Sequence, residues 1–494
     1  MSDLVIHKIN SVYVRVSCER GIAQELSDFF TFKVPGYQFM PAYRNKTWDG
    51  EIKLYNMFTE QIYSGLLSYI LQFAKDRKYS CVLDAALRPS NEKNNAENIC
   101  KSLKLSVGGE DILPHSHQYD AIQYGLDNKR CLLLSPTASG KSLMIYAMIR
   151  SIIEKTKKKI LVIVPTTSLV TQMQSDFIDY SSKDDWDAEE NSHIIFAGKE
   201  KHTDKRIVIS TWQSLYKMPK KYFDQFGAVF GDECHLFKAK SLMTLMQKLT
   251  DCEYRIGTTG TLDGTQTHKL VIEGLFGPVI KIATTSSLME QDLLSKLKID
   301  CILLKYPQEL RKEMARTKYH DELNWLVGYE PRNEFICNLA TNLKGNTLVL
   351  FQLVEKHGKK LYEQLKGSLL EDRKVFFVYG NTDTEVREEI RQITEKEENA
   401  IIVASYGTFS TGISIKRLHN IVFASPSKSR IRILQSIGRQ LRKSEFKTIA
   451  KLYDIGDDLH WKSWKNHTLK HFVERLKIYR SENFDHNSVV INIS

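Results

Sequence analysis

Along most of the chain, apolar residues come in short unbroken runs, each ending in small or polar residues before a helical pattern begins. From Asp111 such runs fall at 131–135, 160–164, 207–210, 228–230 and 254–257. A run apolar on both faces belongs inside a parallel sheet covered by helices. A second series follows at 299–304, 347–351, 375–378, 400–404, 421–424 and 450–454, with a charged stretch of helical period at 305–335 between the two. The pattern predicts two parallel-sheet α/β layers in tandem.

The ends read differently. Residues 4–16 alternate apolar and polar (Leu4, Ile6, Ile9, Val12, Val14, Val16), as one or two half-buried strands do. Helical spacing covers 22–32 and 61–75. Between them lie Val34-Pro35-Gly36, a turn, and Asp49-Gly50, a hairpin signal. This predicts a small α+β module over 1–90. Its Tyr37, Phe39, Tyr43, Trp48 and Tyr55 are interleaved with Arg44, Lys46 and Lys53. Such aromatics can stack bases while the cations hold phosphates, or they can be the module's core. Residues 91–110, rich in Asn and ending near Gly108-Gly109, read as a linker. The two layers then span 111–285 and 286–456. A basic segment, 457–494, reads as an amphipathic helix packed on the second layer or as a solvated basic face.

At 494 residues the chain is too long for a single core. No apolar run approaches the ~20 residues that cross a bilayer, and Met1-Ser2-Asp3-Leu4 lacks a basic-then-apolar leader. A monomer in the cytoplasm of whatever cell makes it, with no membrane partner, is the expectation. The eight cysteines are scattered without a Cys-x-x-Cys pair, which favours buried thiols over disulfides or zinc. The net charge of +11 is uneven: from Thr411 onward there are 16 Lys and Arg against 7 Asp and Glu. Such a surplus points to a polyanion, nucleic acid above all.

The chemistry gathers after the strands of the first layer, where open parallel sheets bind ligands. Ser135-Pro136-Thr137-Ala138-Ser139-Gly140-Lys141-Ser142 lies between a predicted strand and a helix. Small residues there let backbone N–H groups curl around an anion at the helix N-terminus. Lys141 would reach the outer phosphates and Ser142 would hold Mg²⁺. Ser135 stands where the strict phosphate-loop pattern asks for Gly, so an ordinary strand–helix turn remains open on this stretch alone. Asp232-Glu233-Cys234-His235 follows the strand at 228–230. Asp232 suits a Mg²⁺ ligand, Glu233 a general base toward the attacking water, and His235 a link to a neighbouring loop. Gln118 could pair with adenine. In the second layer, Arg439 and Arg442 share a helix face, as guanidiniums that stabilise a transferring phosphoryl group can.

Taken in order, Gln118, residues 135–142, Pro165-Thr166-Thr167-Ser168-Leu169, Ser210-Thr211, Asp232 to His235, Thr259-Gly260-Thr261, Gly407-Thr408 to Gly412, and Gln435 to Arg442 resemble the superfamily 2 helicases. The resemblance covers about residues 112–455 and implies two RecA-like domains of the P-loop NTPase class with ATP and Mg²⁺ held between them. It places nucleic acid against Pro165, Thr166, Thr167, Ser168, Ser210, Thr211 and Gly257 on one domain, and Gln352, Ser405, Gly407 and Thr408 on the other. It gives His235, Thr259 and Thr261 to coupling, and Gly412 and Gln435 to the nucleotide. The implied activity is an ATP-dependent DNA helicase on branched recombination and replication intermediates, forks and Holliday-type junctions, and on DNA–RNA hybrids in R-loops. Three departures are small-for-small: Ser135 and Ala138, Cys234 where Ala is common, and Thr-Gly-Thr for Ser-Ala-Thr. Two rival readings share the residues: a duplex-DNA or RNA-directed translocase without strand separation, and an annealing or binding protein whose ATP site is vestigial.

Overall fold

The protein is described from a computed structural model covering residues 2–493 apart from 89–92, 238, 263–264, 369–372, 413–414, 416, 428 and 442–448. The chain forms two compact units, one of residues 1–135 and 139–283 and one of residues 284–494 grouped with Pro136–Ala138. Each contains a seven-stranded parallel sheet.

In the first unit the sheet strands, in chain order, are Arg130–Leu134, Lys159–Val164, Ser192–Ile195, Ile207–Thr211, Phe226–Gly231, Tyr254–Thr259 and Val279–Lys281. Numbered one to seven, they lie side by side as 3-4-2-5-6-1-7. The central strands are buried along their whole length, as their unbroken apolar runs require. In the second unit the strands are Lys296–Lys305, Thr347–Phe351, Val375–Val378, Ile401–Ser405, Asn420–Phe423, Ile449–Asp458 and Asp485–Asn492, and the order is again 3-4-2-5-6-1-7. Two sheets of one topology, without obvious sequence repetition, are two RecA-like domains.

The small N-terminal module is a four-stranded sheet. Leu4–Lys8 pairs antiparallel with Tyr13–Cys18 and parallel with Cys81–Leu83, and Gln61–Tyr63 completes it. The helical spacing at 61–75 resolves into this short strand, a turn of 3₁₀ helix and the helix Leu67–Asp76. Asp49-Gly50 leads into Glu51–Lys53, which pairs with Thr31–Lys33. The module docks on the first RecA-like sheet. Ser11 N–H donates to Thr250 O at 2.9 Å, and Tyr69 OH to Glu273 Oε2 at 2.8 Å. Gly65 permits the closest approach, since a Cβ there would sit 2.0 Å from the Glu273 carbonyl. Beside this seam the buried Arg255 donates to Leu275 O, Leu249 O and Met246 O, the C-terminal carbonyls of two helices. Burial pulls its guanidinium down to about 10, and the helix dipoles offset part of that cost.

Two stretches differ from the sequence reading. Where a linker was expected at 91–110, the described part carries the helix Ala96–Ser102 and a hairpin of Ser106–Val107 with Glu110–Asp111. Asn95 caps that helix, and Ala96 and Cys100 are buried. The polar composition hid a few well-placed apolar residues. In the terminal segment, expected as helix, Trp461 and Trp464 form a tight bridge instead. The helix begins at His467 and ends at Ser481, and Asp485–Asn492 adds an edge strand parallel to Lys296–Lys305. Glu322, fully buried, caps this helix from outside by accepting from His467 N, Thr468 N and Thr468 Oγ1. Arg475 is no solvated cation: it is buried against Asp454 and holds Ser427 O and Ile455 O.

Candidate nucleotide and nucleic-acid sites

Strand order brings the loops after the first, fifth and sixth strands of the first sheet together. Gly257, Thr258 and Thr259 lie opposite Leu132, Leu133 and Leu134, and Gly231 lies opposite Gly257. Ser135, Asp232 and Thr259 therefore emerge at one end of the sheet. Ser135 N–H donates to Thr259 O at 3.0 Å. The loop of 135–140 turns through left-handed backbone at Ala138 (φ 66°) and Gly140 (φ 79°), and the helix Lys141–Lys155 starts at once. Ser135 Oγ donates to Ser139 Oγ at 2.7 Å across the loop's neck, and Lys141 Nζ reaches back to Ser135 O at 3.5 Å. Pro136, Thr137 and Ala138 form the loop's half-buried crest.

Gln118 braces this loop. Its Oε1 accepts from His115 N at 2.8 Å while Nε2 donates to Ser139 O at 3.0 Å, and the His117 ring lies 3.1 Å from the same carbonyl. Glycine is needed at 140 for its φ of 79°, and a Cβ there would stand 2.1 Å from Gln118 Nε2 and displace that side chain from the loop.

Asp232 is nearly buried. Burial and the neighbouring Glu233 push its carboxyl above the ordinary range, while Lys141 and a 2.7 Å hydrogen bond from Thr258 Oγ1 pull it down. Such a carboxylate is completed by a cation. Glu233 is held at φ 51°, a left-handed conformation costly for a residue with a Cβ and characteristic of functional turns. His235 Nδ1 lies 3.3 Å from Glu233 Oε2 and 3.1 Å from Thr259 Oγ1. Thr259 in turn donates to Thr261 O at 3.0 Å. A continuous path thus runs from the acidic pair to the loop after the sixth strand. Cys234 fills the space above Gly231 and Gly257, where any Cβ would fall within 3 Å of its sulfur.

The donor set fits a magnesium nucleotide. The backbone is left-handed at 138 and 140, as in turns that gather N–H groups around an anion, and Ser142 with Asp232 would supply hard oxygens of the kind Mg²⁺ takes. Ser142 Oγ here lies 2.9 Å from Tyr180 OH. Thr258 and Tyr180 were missed from sequence. The first could have been noticed as a hydroxyl inside an otherwise buried strand; the second carries no sequence signal.

Of the residues expected against nucleic acid, Pro165 to Ser168 follow one strand and Thr211 ends its neighbour, with Val164 opposite Thr211. Thr166 caps the helix Thr167–Tyr180. Ser210 is wholly buried with its hydroxyl donated to Ile195 O, and Gly257 lies mid-strand under Cys234, so both are engaged in packing here. In the second unit Gln352 is exposed after its strand, and Ser405 lies opposite Phe351. Ser405 and Thr408 are buried and bonded to each other at 2.8 Å, which leaves the exposed Gly407 as the accessible member. Gly412 ends the helix that begins at Tyr406. Gln435 and Arg439 lie half-buried on the helix Arg430–Gln440, and Arg442 falls outside the described residues. In the N-terminal module Tyr55 is core, whereas Phe39 is 73% exposed.

A parallel sheet ending in a phosphate loop, doubled by a second sheet of the same strand order, is the architecture of the ATP-dependent helicases with two RecA-like domains. Comparison with known proteins agrees over the whole length. Family models described as "DNA helicase UvsW, N-terminal", "Type III restriction enzyme, res subunit" and "Helicase conserved C-terminal domain" match residues 3–84, 90–264 and 331–444. The ATP-dependent DNA helicase UvsW of Enterobacteria phage T4 is 36% identical over 520 residues, spanning 99% of this chain and 100% of that protein. The chain belongs to the UvsW family of ATP-dependent DNA helicases. The crystal structure of T4 UvsW aligns over 99% of each chain with a TM-score of 0.53 at 35% identity. The DNA 3'-5' translocase XPB2 of Sulfurisphaera tokodaii is 23% identical over 388 residues, 71% of this chain and 83% of that one. Among the described residues, no helix is long and apolar enough to cross a membrane.

Proposed function

We propose that this helicase unwinds branched DNA (replication forks, four-way junctions and related recombination intermediates) and displaces RNA from DNA–RNA hybrids, working as a monomer in the cytoplasm. The observation that carries the reading is the full-length likeness to a phage DNA helicase, N-terminal module included. The core motifs alone are shared with motors that track duplex without opening it.

In this reading residues 111–285 and 286–456 are the two motor domains. Lys141 and the N–H groups of 135–142 bind the triphosphate, and Ser142 with Asp232 holds Mg²⁺. Glu233 takes the proton of the attacking water, with His235 and Thr259 keeping its carboxylate oriented. Gln118 shapes the loop from behind and selects the base only if its present hydrogen bonds exchange. Gly412, Gln435, Arg439 and Arg442 are the second domain's contribution to the nucleotide. Pro165–Ser168 and Thr211, with Gln352 and Gly407, grip the strand backbone. Bound magnesium would supply charge neutralisation at the phosphates; the protein's own contribution is to orient the attacking water through Glu233 and to pass the state of Glu233 along His235, Thr259 and Thr261. The test is ATP turnover and strand displacement on forks, four-way junctions, R-loops, single strands and blunt duplex. Displacement on forks and R-loops is expected. Stimulation by blunt duplex alone would instead favour a translocase that does not separate strands.

A further inference from the structure

The contact between Ser142 and Tyr180 joins two parts of the first motor domain that the motifs treat separately. Tyr180 is the last residue of the helix Thr167–Tyr180, whose N-cap Thr166 belongs to the proposed strand contact. At 14 residues that helix is about 20 Å long. One end therefore touches the nucleic-acid side and the other puts a phenol 2.9 Å from the Ser142 hydroxyl. The Tyr180 ring packs on buried Tyr146 with centroids 5.6 Å apart, and Tyr146 lies one turn beyond Ser142 on the phosphate-loop helix. Next to it, Asp179 accepts from Gly108 N at 2.8 Å and, through its carbonyl, from Ser106 Oγ at 2.8 Å. The helix end is thus well fixed, and the Ser142–Tyr180 bond is the part that a small shift would break. A hydroxyl–hydroxyl bond is made over a window of about half an ångström, so a sub-ångström displacement removes it. Packed helices shift between discrete arrangements on that scale.

We infer that Tyr180 is a positioning residue that restrains the Ser142 hydroxyl and that the helix Thr167–Tyr180 links release of this restraint to nucleic-acid binding at Thr166–Ser168. The inference rests on the reading of Ser142 as the metal-binding hydroxyl. With the phenol as donor, the bond occupies a lone pair of the Ser142 oxygen that a cation demanding close, regular coordination would need. Strand binding then favours magnesium nucleotide with no contact between the two ligands, which is a coupling free energy between sites.

The test uses the full chain and equilibrium binding rather than turnover. Fluorescence of a non-hydrolysable ATP analogue is titrated with Mg²⁺, with and without a single-stranded oligonucleotide. Tyr180→Phe keeps the ring on Tyr146 and removes only the hydroxyl. Without oligonucleotide, its half-saturating Mg²⁺ is expected to fall about fivefold, the worth of one neutral hydrogen bond. The oligonucleotide should lower the wild-type midpoint by a similar factor and the variant's by less than about twofold, since the restraint it would lift is gone. A variant midpoint equal to or above the wild type, or an undiminished oligonucleotide effect, overturns the inference. Ser142→Ala separates the two layers of the argument. If it leaves the Mg²⁺ midpoint unchanged, the metal-ligand reading fails and takes the restraint with it. If it weakens Mg²⁺ dependence while Tyr180→Phe behaves as wild type, only the restraint fails.

Discussion

At the scale of single residues, the first domain concentrates its costs at one end of a sheet. Asp232 is buried beside Glu233, whose backbone is strained, and the charge of Lys141 offsets part of the cost of burying Asp232. Lys141→Ala should lower ATP turnover and strand displacement by at least about 100-fold, the usual loss when a positioned donor to a developing anion is removed. Binding of nucleic acid, measured by fluorescence anisotropy, should persist. In the second domain His357 is buried with its Nδ1 2.9 Å from Ser425 Oγ, and burial, with Arg332 nearby, holds its pKa well below the ordinary 6.5. Unfolded chain therefore binds the proton more readily than folded chain. Its contribution to stability is complete above pH 6.5 and is lost as pH falls, by up to about 1.4 kcal/mol per unit. Urea midpoints at pH 7.5 and 5.5 should draw together in His357→Gln relative to the wild type. His117, also lowered by burial, acts in the same direction, so the comparison isolates only the share of His357.

At the scale of elements, helix ends carry much of the organisation. Gln118, near the start of one helix, braces the phosphate loop that opens the next. Arg255 caps two helices at once, and Glu322 caps the terminal helix from a neighbouring one. Glu322→Ala would take the acceptor from four donors, those of Asn466 Nδ2, His467 N, Thr468 N and Thr468 Oγ1, and should cost about 3 kcal/mol, read as a lower urea midpoint of the second domain. Most helices and core strands were legible from periodicity because each has one environment along its length. The failures share a cause. The strand Gln61–Tyr63 and the helix Leu67–Asp76 merge into one apparent helical pattern, since three residues are too few to show a period of two. The edge strand Asp485–Asn492 is exposed almost throughout, so no burial pattern marks it, and only pairing with Lys296–Lys305 makes it a strand.

At the scale of the whole molecule, a net charge of +11 on a helicase predicts that its binding to nucleic acid is sequence-independent and salt-sensitive. A log–log plot of affinity against salt should be linear, and neutralising one contacting cation should reduce its slope by about one. Not every cation is available to a strand: Arg475 and Arg332 are spent on buried Asp454 and Asp457, pairs that add nothing to the surplus. Composition counts charges without knowing which are paired. What the chain determined by itself was local: apolar runs that must be interior strands, small residues that permit a tight anion-binding turn, and the order of motifs. Tertiary structure decided which hydroxyls face a ligand and which are consumed in packing. Ser210 and Gly257 lie inside the sheet, whereas Thr258 bonds to Asp232 and Tyr180 to Ser142. The reason is that strand order and register set these distances, and neither is written in any single stretch of sequence.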